Sequence, residues 1–143
     1  MKQLLLTFLF LTLSVSLSAQ TKKYPGTYIA THDINSEGII KYTLLLKPDG
    51  TFTFHNYRKI SVKNPEENSY GQGTWKVEKE NVLYFYTDTN SDIDDKYTLD
   101  FTNTKARYYT KSPRNKTTKI VKTKLKFYES DISWVKGWTL YKE

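Results

Sequence analysis

The sequence predicts an all-β domain, an antiparallel up-and-down meander of eight to nine strands that closes into a barrel, with a β-sandwich as the alternative. Aromatic residues are dense, with 12 Tyr, 7 Phe and 3 Trp in 143 residues, and these residue types favour strands. After the first twenty residues, no long stretch repeats apolar residues at helical spacing. Apolar and polar residues alternate instead, as in a sheet with one buried face. Closure into a barrel would remove the exposed edges of so many strands.

The first nineteen residues have the pattern of a secretory signal peptide, expected to precede the domain as a helix. Lys2 is followed by an apolar run over residues 4–13 and then by small residues that end at Ala19. This run is shorter than the roughly 20 apolar residues that span a membrane. We therefore expect cleavage after Ala19 or Gln20, a domain over residues 20–143, periplasmic or secreted localisation, and no transmembrane segment after cleavage.

Two features of composition limit the chemistry. The chain contains no cysteine, which excludes disulfides, thiol catalysis, thiolate metal sites and a lipidated cysteine. Its formal net charge is +7, and removal of Lys2 with the signal peptide lowers that by one. A moderate positive charge favours anionic partners through long-range attraction.

The alternation predicts nine strands in chain order. Their expected ranges are residues 26–31, 39–47, 51–58, 73–79, 82–88, 96–101, 105–110, 121–129 and 135–142. Within several of them the apolar side chains fall on one face. These one-face groups are Tyr42 with Leu44 and Leu46, Phe52 with Phe54, Trp75 with Val77, and Tyr97 with Leu99 and Phe101.

Short connections predict hairpins between successive strands. Pro48-Asp49-Gly50 combines a residue of fixed φ with one that tolerates positive φ, as in a tight turn. Residues 78–81 and 102–104 are expected to form two further hairpin turns. The longer polar segments over residues 61–70 and 112–119 are expected to be loops at the ends of the barrel, where binding residues often lie.

The sequence offers little that is typical of an enzyme, so we expect no catalytic residues and no cofactor. His32 and His55 are the only histidines, and His55 is expected on the outer face of its strand. The His32-Asp33 pair has no nucleophile assigned by any motif. Adjacent carboxylates at residues 66–67 and 94–95 are expected to be solvated rather than placed across a cleft.

An acidic alternation over residues 88–94 resembles the start of a calcium-binding loop. The EF-hand pattern requires Gly and Glu where this chain has Ile93 and Leu99. The EF-hand motif is therefore absent, and we predict no metal site. A looser calcium site and a plain polar turn are the two alternatives for this segment.

The strongest charge feature is a tract from Lys105 to Lys126 that holds nine cations and no acidic residue. One interpretation is the solvated face of a hairpin, with the acidic stretch over residues 88–100 alongside it. The other is a surface for an acidic protein or an anionic envelope polymer, helped by Tyr108 and Tyr109. Nucleic acid is not expected for an exported chain. The surface residues in question are Lys105, Arg107, Lys122, Lys124 and Lys126.

Three segments resemble the lipocalin-like (calycin) domains of exported bacterial proteins. They are Gly26-Thr27-Tyr28, residues 49–54, and residues 73–77 followed by 82–85. The likeness is to that family's G-x-W or G-x-Y opening and its meander of hairpins, and it covers most of residues 24–142. Tyr28 stands where the family has Trp, and Lys142 is the counterpart of the Arg that often packs across it. The resemblance implies an eight-to-ten-stranded barrel that holds a small apolar molecule or fills its lumen with side chains.

These observations predict a non-catalytic binding module, with a small apolar or aromatic-stacking ligand in the barrel or at its mouth. The residues expected to line that site are Tyr28, Leu44, Phe54, Trp75, Phe85, Leu99 and Trp138. The alternative is a barrel with a filled core, which docks an acidic protein or an anionic envelope polymer through the basic surface over residues 105–126.

Overall fold

An antiparallel β-barrel makes up residues 22–143, the part of the chain that this computed structural model describes. The predicted signal peptide lies outside the described residues. The strands are β1 (Gly26–Ile34), β2 (Gly38–Leu46), β3 (Thr51–Lys59), β4 (Glu67–Lys79), β5 (Val82–Tyr86), β6 (Tyr97–Leu99), β7 (Thr104–Tyr109), β8 (Lys124–Glu129) and β9 (Thr139–Lys142). They follow the order β3-β2-β1-β9-β8-β7-β5-β4-β6, and an additional β3–β4 pairing closes the ring. Eight strands therefore form a closed barrel with β6 as an extra strand, which confirms the predicted fold class.

Two of the predicted hairpins are confirmed. In the β2–β3 turn, the Lys47 amide donates to the Thr51 carbonyl at 2.9 Å, and Gly50 adopts a φ of 86°. The Asp49 carboxylate accepts from the Thr51 amide at 2.8 Å. In the β4–β5 turn, Asn81 adopts a φ of 62°, a conformation that Asn tolerates better than most residues. Local turn chemistry thus fixes both connections.

The segment predicted as a strand over residues 96–101 departs from the simple meander. β6 has three residues and pairs in parallel with β4, whereas β7 pairs directly with β5. The buried Thr87 lies where the chain leaves β5, and its hydroxyl bridges the Gln72 carbonyl and the Phe101 amide, each at 3.0 Å. β6 consequently pairs with the part of β4 that extends beyond its pairing with β5. The predicted turn at residues 102–104 forms, but it joins strands that do not pair with each other.

Three strand boundaries also differ from the predictions. β4 begins at Glu67 rather than at residue 73, because its first half pairs with β3 over eight positions. This half has Ser69, Gly71 and Gly73 on its inner face, so no apolar alternation marked it as a strand. β8 and β9 begin at Lys124 and Thr139, three and four residues later than predicted, and residues 130–138 form a turn-rich connection.

The barrel interior is packed with aromatic and aliphatic side chains. The ring centroids of Phe52 and Phe85 are 5.1 Å apart, and those of Phe52 and Phe101 are 5.2 Å apart. One end is covered by Tyr24, whose ring packs edge-on against Tyr108 at 4.9 Å. We call this the closed end. The opposite end, crossed by the connection over residues 130–138, is called the mouth.

We expect Gly71→Ala to destabilise the barrel by about 1–3 kcal/mol, because an added methyl group overfills a packed core. A Cβ at Gly71 would lie 2.6 Å from Cε2 of the Phe101 ring. Urea unfolding of the purified domain measures the loss. The double variant Gly71→Ala with Phe101→Leu should recover part of it, since the smaller side chain gives way. Equal stability of wild type and Gly71→Ala would contradict this packing.

We expect the stability contributed by Tyr28 to fall above about pH 10, the ordinary tyrosine pKa. Tyr28 is fully buried, and burial, followed by the nearby Tyr108 and Tyr24, raises its pKa. Above pH 10 the unfolded chain releases this proton while the folded protein retains it, so unfolding becomes more favourable as pH rises. Urea unfolding between about pH 8 and pH 11 should therefore show the advantage of wild type over Tyr28→Phe shrinking with pH.

The control for this titration is Tyr86→Phe, because Tyr86 is 54% exposed. Its stability curve should run parallel to that of wild type over the same pH range. At the lower end of the range, Tyr28→Phe should cost about 1 kcal/mol, because the Tyr28 hydroxyl donates to the Tyr24 carbonyl at 2.5 Å. Parallel curves for wild type and Tyr28→Phe would contradict the assignment.

Candidate binding sites at the mouth and on the outer face

Most of the residues predicted to line a ligand site lie in the packed core. Tyr28, Leu44, Phe54, Trp75 and Phe85 are buried there, and Leu99 and Trp138 are partly buried against it. A gap of about 150 Å³ among Tyr42, Phe54, Phe127, Val135, Trp138 and Leu140 has no room for a water molecule. Of the predicted set, Phe54, Leu99 and Trp138 lie toward the mouth. Contact of these residues with a ligand stays a prediction.

A ladder of stacked rings leads from the core to the surface at the mouth. Phe54 stacks on Tyr42 with centroids 5.8 Å apart, and Trp134 stacks on Tyr42 at 5.7 Å. Trp138 packs edge-on against Tyr42 at 4.4 Å. Trp134 keeps 36% of its surface exposed, so the outermost ring of this ladder is available from outside.

Sequence reasoning did not nominate Tyr42 or Trp134 as site residues. The alternation of β2 placed Tyr42 on the apolar face, but gave no sign that it lies at the end of the barrel. Trp134 lies in a connection without periodicity, where no pattern assigns it a neighbour. Its position follows from the neighbouring Val135, which is 2% exposed and anchors the connection over the mouth.

Polar side chains continue the inner face of β3 beyond Phe54. Asn56 and Arg58 follow it at alternate positions, and Asn56 lies opposite Tyr42 on β2 and Ser69 on β4. Oδ1 of Asn56 is buried and has no hydrogen-bond partner within residues 22–143. A buried acceptor without a partner is costly, so Asn56 is the group at the mouth that a donor would satisfy.

The charged groups near this acceptor form the rim of the mouth. The Arg58 guanidinium lies 3.7 Å from the Glu67 carboxylate, and both side chains are about half exposed. Burial raises the pKa of Tyr42, and the positive charge of Arg58 opposes this rise. The Tyr42 hydroxyl therefore stays protonated at neutral pH and retains its capacity to donate or accept a hydrogen bond.

The two histidines lie in different surroundings. His32 is exposed at the rim, where its ring packs edge-on against Trp138 at 6.0 Å. His55 lies on the outer face, stacks on Tyr70 at 4.5 Å, and its Nε2 is 2.7 Å from Oδ1 of Asn68. The expected surface hydrogen bond of His55 is confirmed. Across residues 22–143, no three His, Asp or Glu side chains gather as a metal-binding group.

The acidic segment over residues 88–100 does not lie alongside the basic tract as an ion-pairing partner, so that expectation is wrong. Its carboxylates cap their own turns, as Asp94 does by accepting from the amides of Lys96 and Tyr97 at 2.8 and 2.7 Å. These backbone hydrogen bonds hold the pKa of Asp94 below its usual value. None of the four ion pairs found among the described side chains involves this segment.

Part of the predicted basic surface lies on the outer face of β7 and β8. Lys105 is paired with Glu129 at 2.9 Å, and that hydrogen bond raises the pKa of Lys105. Lys122 precedes β8 in an irregular segment. Tyr108, expected to help this surface, faces the core instead, because β7 alternates inward and outward. The basic-aromatic face is defined here as Arg107, Tyr109, Lys124, Lys126, Tyr128 and Tyr141.

The fold and these sites define a class of protein, a filled eight-stranded antiparallel barrel with one additional strand. Comparisons with protein-family models, curated proteins and solved structures give no match to this chain. The lipocalin-like resemblance therefore stays a prediction. Lys142 does lie over Tyr28, with Nζ 5.7 Å from the ring centroid. Residues 22–143 include no helix that is long and apolar enough to span a membrane.

Proposed function

We propose that this protein is a non-catalytic binding module that holds a small aromatic-stacking ligand at the mouth of its barrel. The observation that carries the proposal is the buried, unpartnered Oδ1 of Asn56 beside the ring ladder. A polar atom left without a partner in an otherwise satisfied barrel is typical of a site that is completed by another molecule. An ordered water is the simpler occupant, and the experiment below distinguishes the two.

Packing favours the mouth over the lumen as the site. Ligand pockets for small molecules usually measure about 300–1,000 Å³, whereas the gap beneath Trp138 is about 150 Å³ and too narrow for water. A ligand inside the barrel would have to displace core side chains such as Phe54. A ligand at the mouth instead stacks on Trp134, whose ring is already partly exposed.

The groups at the mouth also suggest the chemistry of the ligand. Ring stacking on Trp134 requires a flat, apolar moiety, and Asn56 Oδ1 accepts an N–H or O–H donor. The exposed Arg58 and Glu67 already neutralise each other, so they do not require a charged ligand. We infer a flat, uncharged molecule that carries one hydrogen-bond donor.

N-phenyl-1-naphthylamine, an uncharged aromatic probe with a single N–H, tests the proposal by fluorescence titration. We expect saturable binding that quenches tryptophan emission. Trp134→Ala and Asn56→Leu should each weaken the affinity by about three- to tenfold, which corresponds to the loss of one stacked ring or one hydrogen bond. A matched probe without the N–H, 1-phenylnaphthalene, should bind the wild type more weakly and be insensitive to Asn56→Leu.

The control variant is Trp75→Phe, because Trp75 packs against Tyr24 at the closed end. It should retain the affinity of wild type for the naphthylamine probe, and circular dichroism should show that all variants are folded. Absence of saturable binding would contradict the proposal. Equal affinities of wild type, Trp134→Ala and Asn56→Leu would show that the probe binds elsewhere, and water would then be the occupant of the Asn56 site.

We also propose that the domain acts outside the cytoplasm, on the basis of the signal-peptide pattern in its first nineteen residues. Intact-mass measurement of the protein recovered from the periplasm or medium of an expressing bacterium should show a mature chain that starts at Gln20 or Thr21. Recovery of an uncleaved chain from the cytoplasm alone would contradict export.

A further inference from the structure

We propose that the basic-aromatic face is a second binding surface, which takes a linear anionic polysaccharide. It lies on the outside of β7, β8 and β9, whereas the ring ladder lies at the mouth. The inference starts from an unfavourable arrangement of charge. Arg107 on β7 and Lys126 on β8 are direct cross-strand partners, and both are exposed.

Like charges placed directly opposite each other destabilise an antiparallel pair of strands. No acidic side chain within the described residues forms an ion pair with Arg107 or Lys126. The neighbouring Lys105 shows the contrast, because it faces Glu129 across the same two strands and pairs with it. The free protein therefore retains a repulsion that a bound anion would relieve.

Tyrosine rings stand beside these cations. Tyr109, Tyr128 and Tyr141 are 41%, 38% and 44% exposed. The Arg107 guanidinium lies 5.7 Å from the centroid of the Tyr128 ring, and Lys124 Nζ lies 5.5 Å from that of Tyr109. In register, Lys124 lies between Tyr109 on β7 and Tyr141 on β9. Rings and cations thus alternate across three adjacent strands.

A linear polymer of acidic sugars fits this alternation. Each sugar offers an apolar ring face that can rest on a tyrosine, and its carboxylate can meet a lysine or arginine. Successive outward positions on one strand are roughly 7 Å apart, so a repeating ligand can engage several positions at once. The proposed contacts are therefore individually weak and multiple, as expected for an exposed and solvated surface.

Other polyanions fit the surface less well. A protein interface usually has a contiguous apolar centre, whereas these rings are separated by charged side chains. Single-stranded nucleic acid also uses cations and rings, but the predicted signal peptide favours partners outside the cell. Both classes are outcomes of the test.

Polygalacturonate, a linear polymer with one carboxylate per sugar, is the probe. Isothermal titration calorimetry of the purified domain should show binding that weakens as salt rises, and the polymer should raise the melting temperature. Lys126→Glu should weaken binding at least tenfold and raise the melting temperature of the free protein by about 1–4 °C, because a cross-strand ion pair with Arg107 replaces the repulsion.

The matched control is Lys63→Glu, which makes the same charge change at an exposed position in the β3–β4 connection. It should bind polygalacturonate within about twofold of wild type, since distant charges are largely screened. Tyr109→Ala should weaken the binding of polygalacturonate but not of poly-L-glutamate, which has no sugar rings. Trp134→Ala should leave polygalacturonate binding unchanged, which keeps this test independent of the mouth.

Several results would overturn the inference. They are absence of binding to polygalacturonate, equal binding by Lys126→Glu and Lys63→Glu, and a lower melting temperature for free Lys126→Glu. Tighter binding of poly-L-glutamate would indicate an acidic protein as partner, and tighter binding of oligo-dT would indicate nucleic acid. Either result would contradict a polysaccharide ligand.

Discussion

The interior width of an eight-stranded barrel governs the rest of this structure, because side chains alone can fill a ring of that size. Here large rings occupy the space, and small residues opposite them make room. Phe101 fits because Gly71 has no side chain, and Ala106 is fully buried beside other core positions. A molecule that binds this protein without disrupting its core therefore has to use an end of the barrel or its outer face.

The two ends of the barrel differ in a way that matters for binding. At the closed end, Tyr24 packs among its neighbours, and the Tyr108 hydroxyl donates to the Lys23 carbonyl at 3.2 Å. At the mouth, Asn56 lacks a partner among the described residues, and Trp134 is partly exposed. Unsatisfied polarity and exposed aromatic surface thus coincide at one end, which is the physical basis for proposing a ligand there.

Much of the fold was predictable from the sequence, and much of the site was not. Two-residue alternation identified Tyr42, Leu44 and Phe54 as inward-facing, because that period depends only on local backbone geometry. The parallel pairing of β6 was not predictable, since it depends on hydrogen bonds of Thr87 to distant backbone groups. The opposition of Arg107 and Lys126 depends on cross-strand register, and β7 and β8 are joined by a long connection without turn signals. The isolation of Asn56 appears only once the barrel has closed.

The central claim is that ligands meet this protein at its mouth because its interior is filled. Backbone ¹⁵N chemical shifts of the isotope-labelled domain, measured with and without saturating N-phenyl-1-naphthylamine, test that claim most directly. We expect the largest changes in residues 130–138 and around Tyr42 and Asn56, with little change near Tyr24 and Trp75. Large changes along the core positions of β5 and β7, extending to the closed end, would show that the probe enters the lumen and would contradict the account.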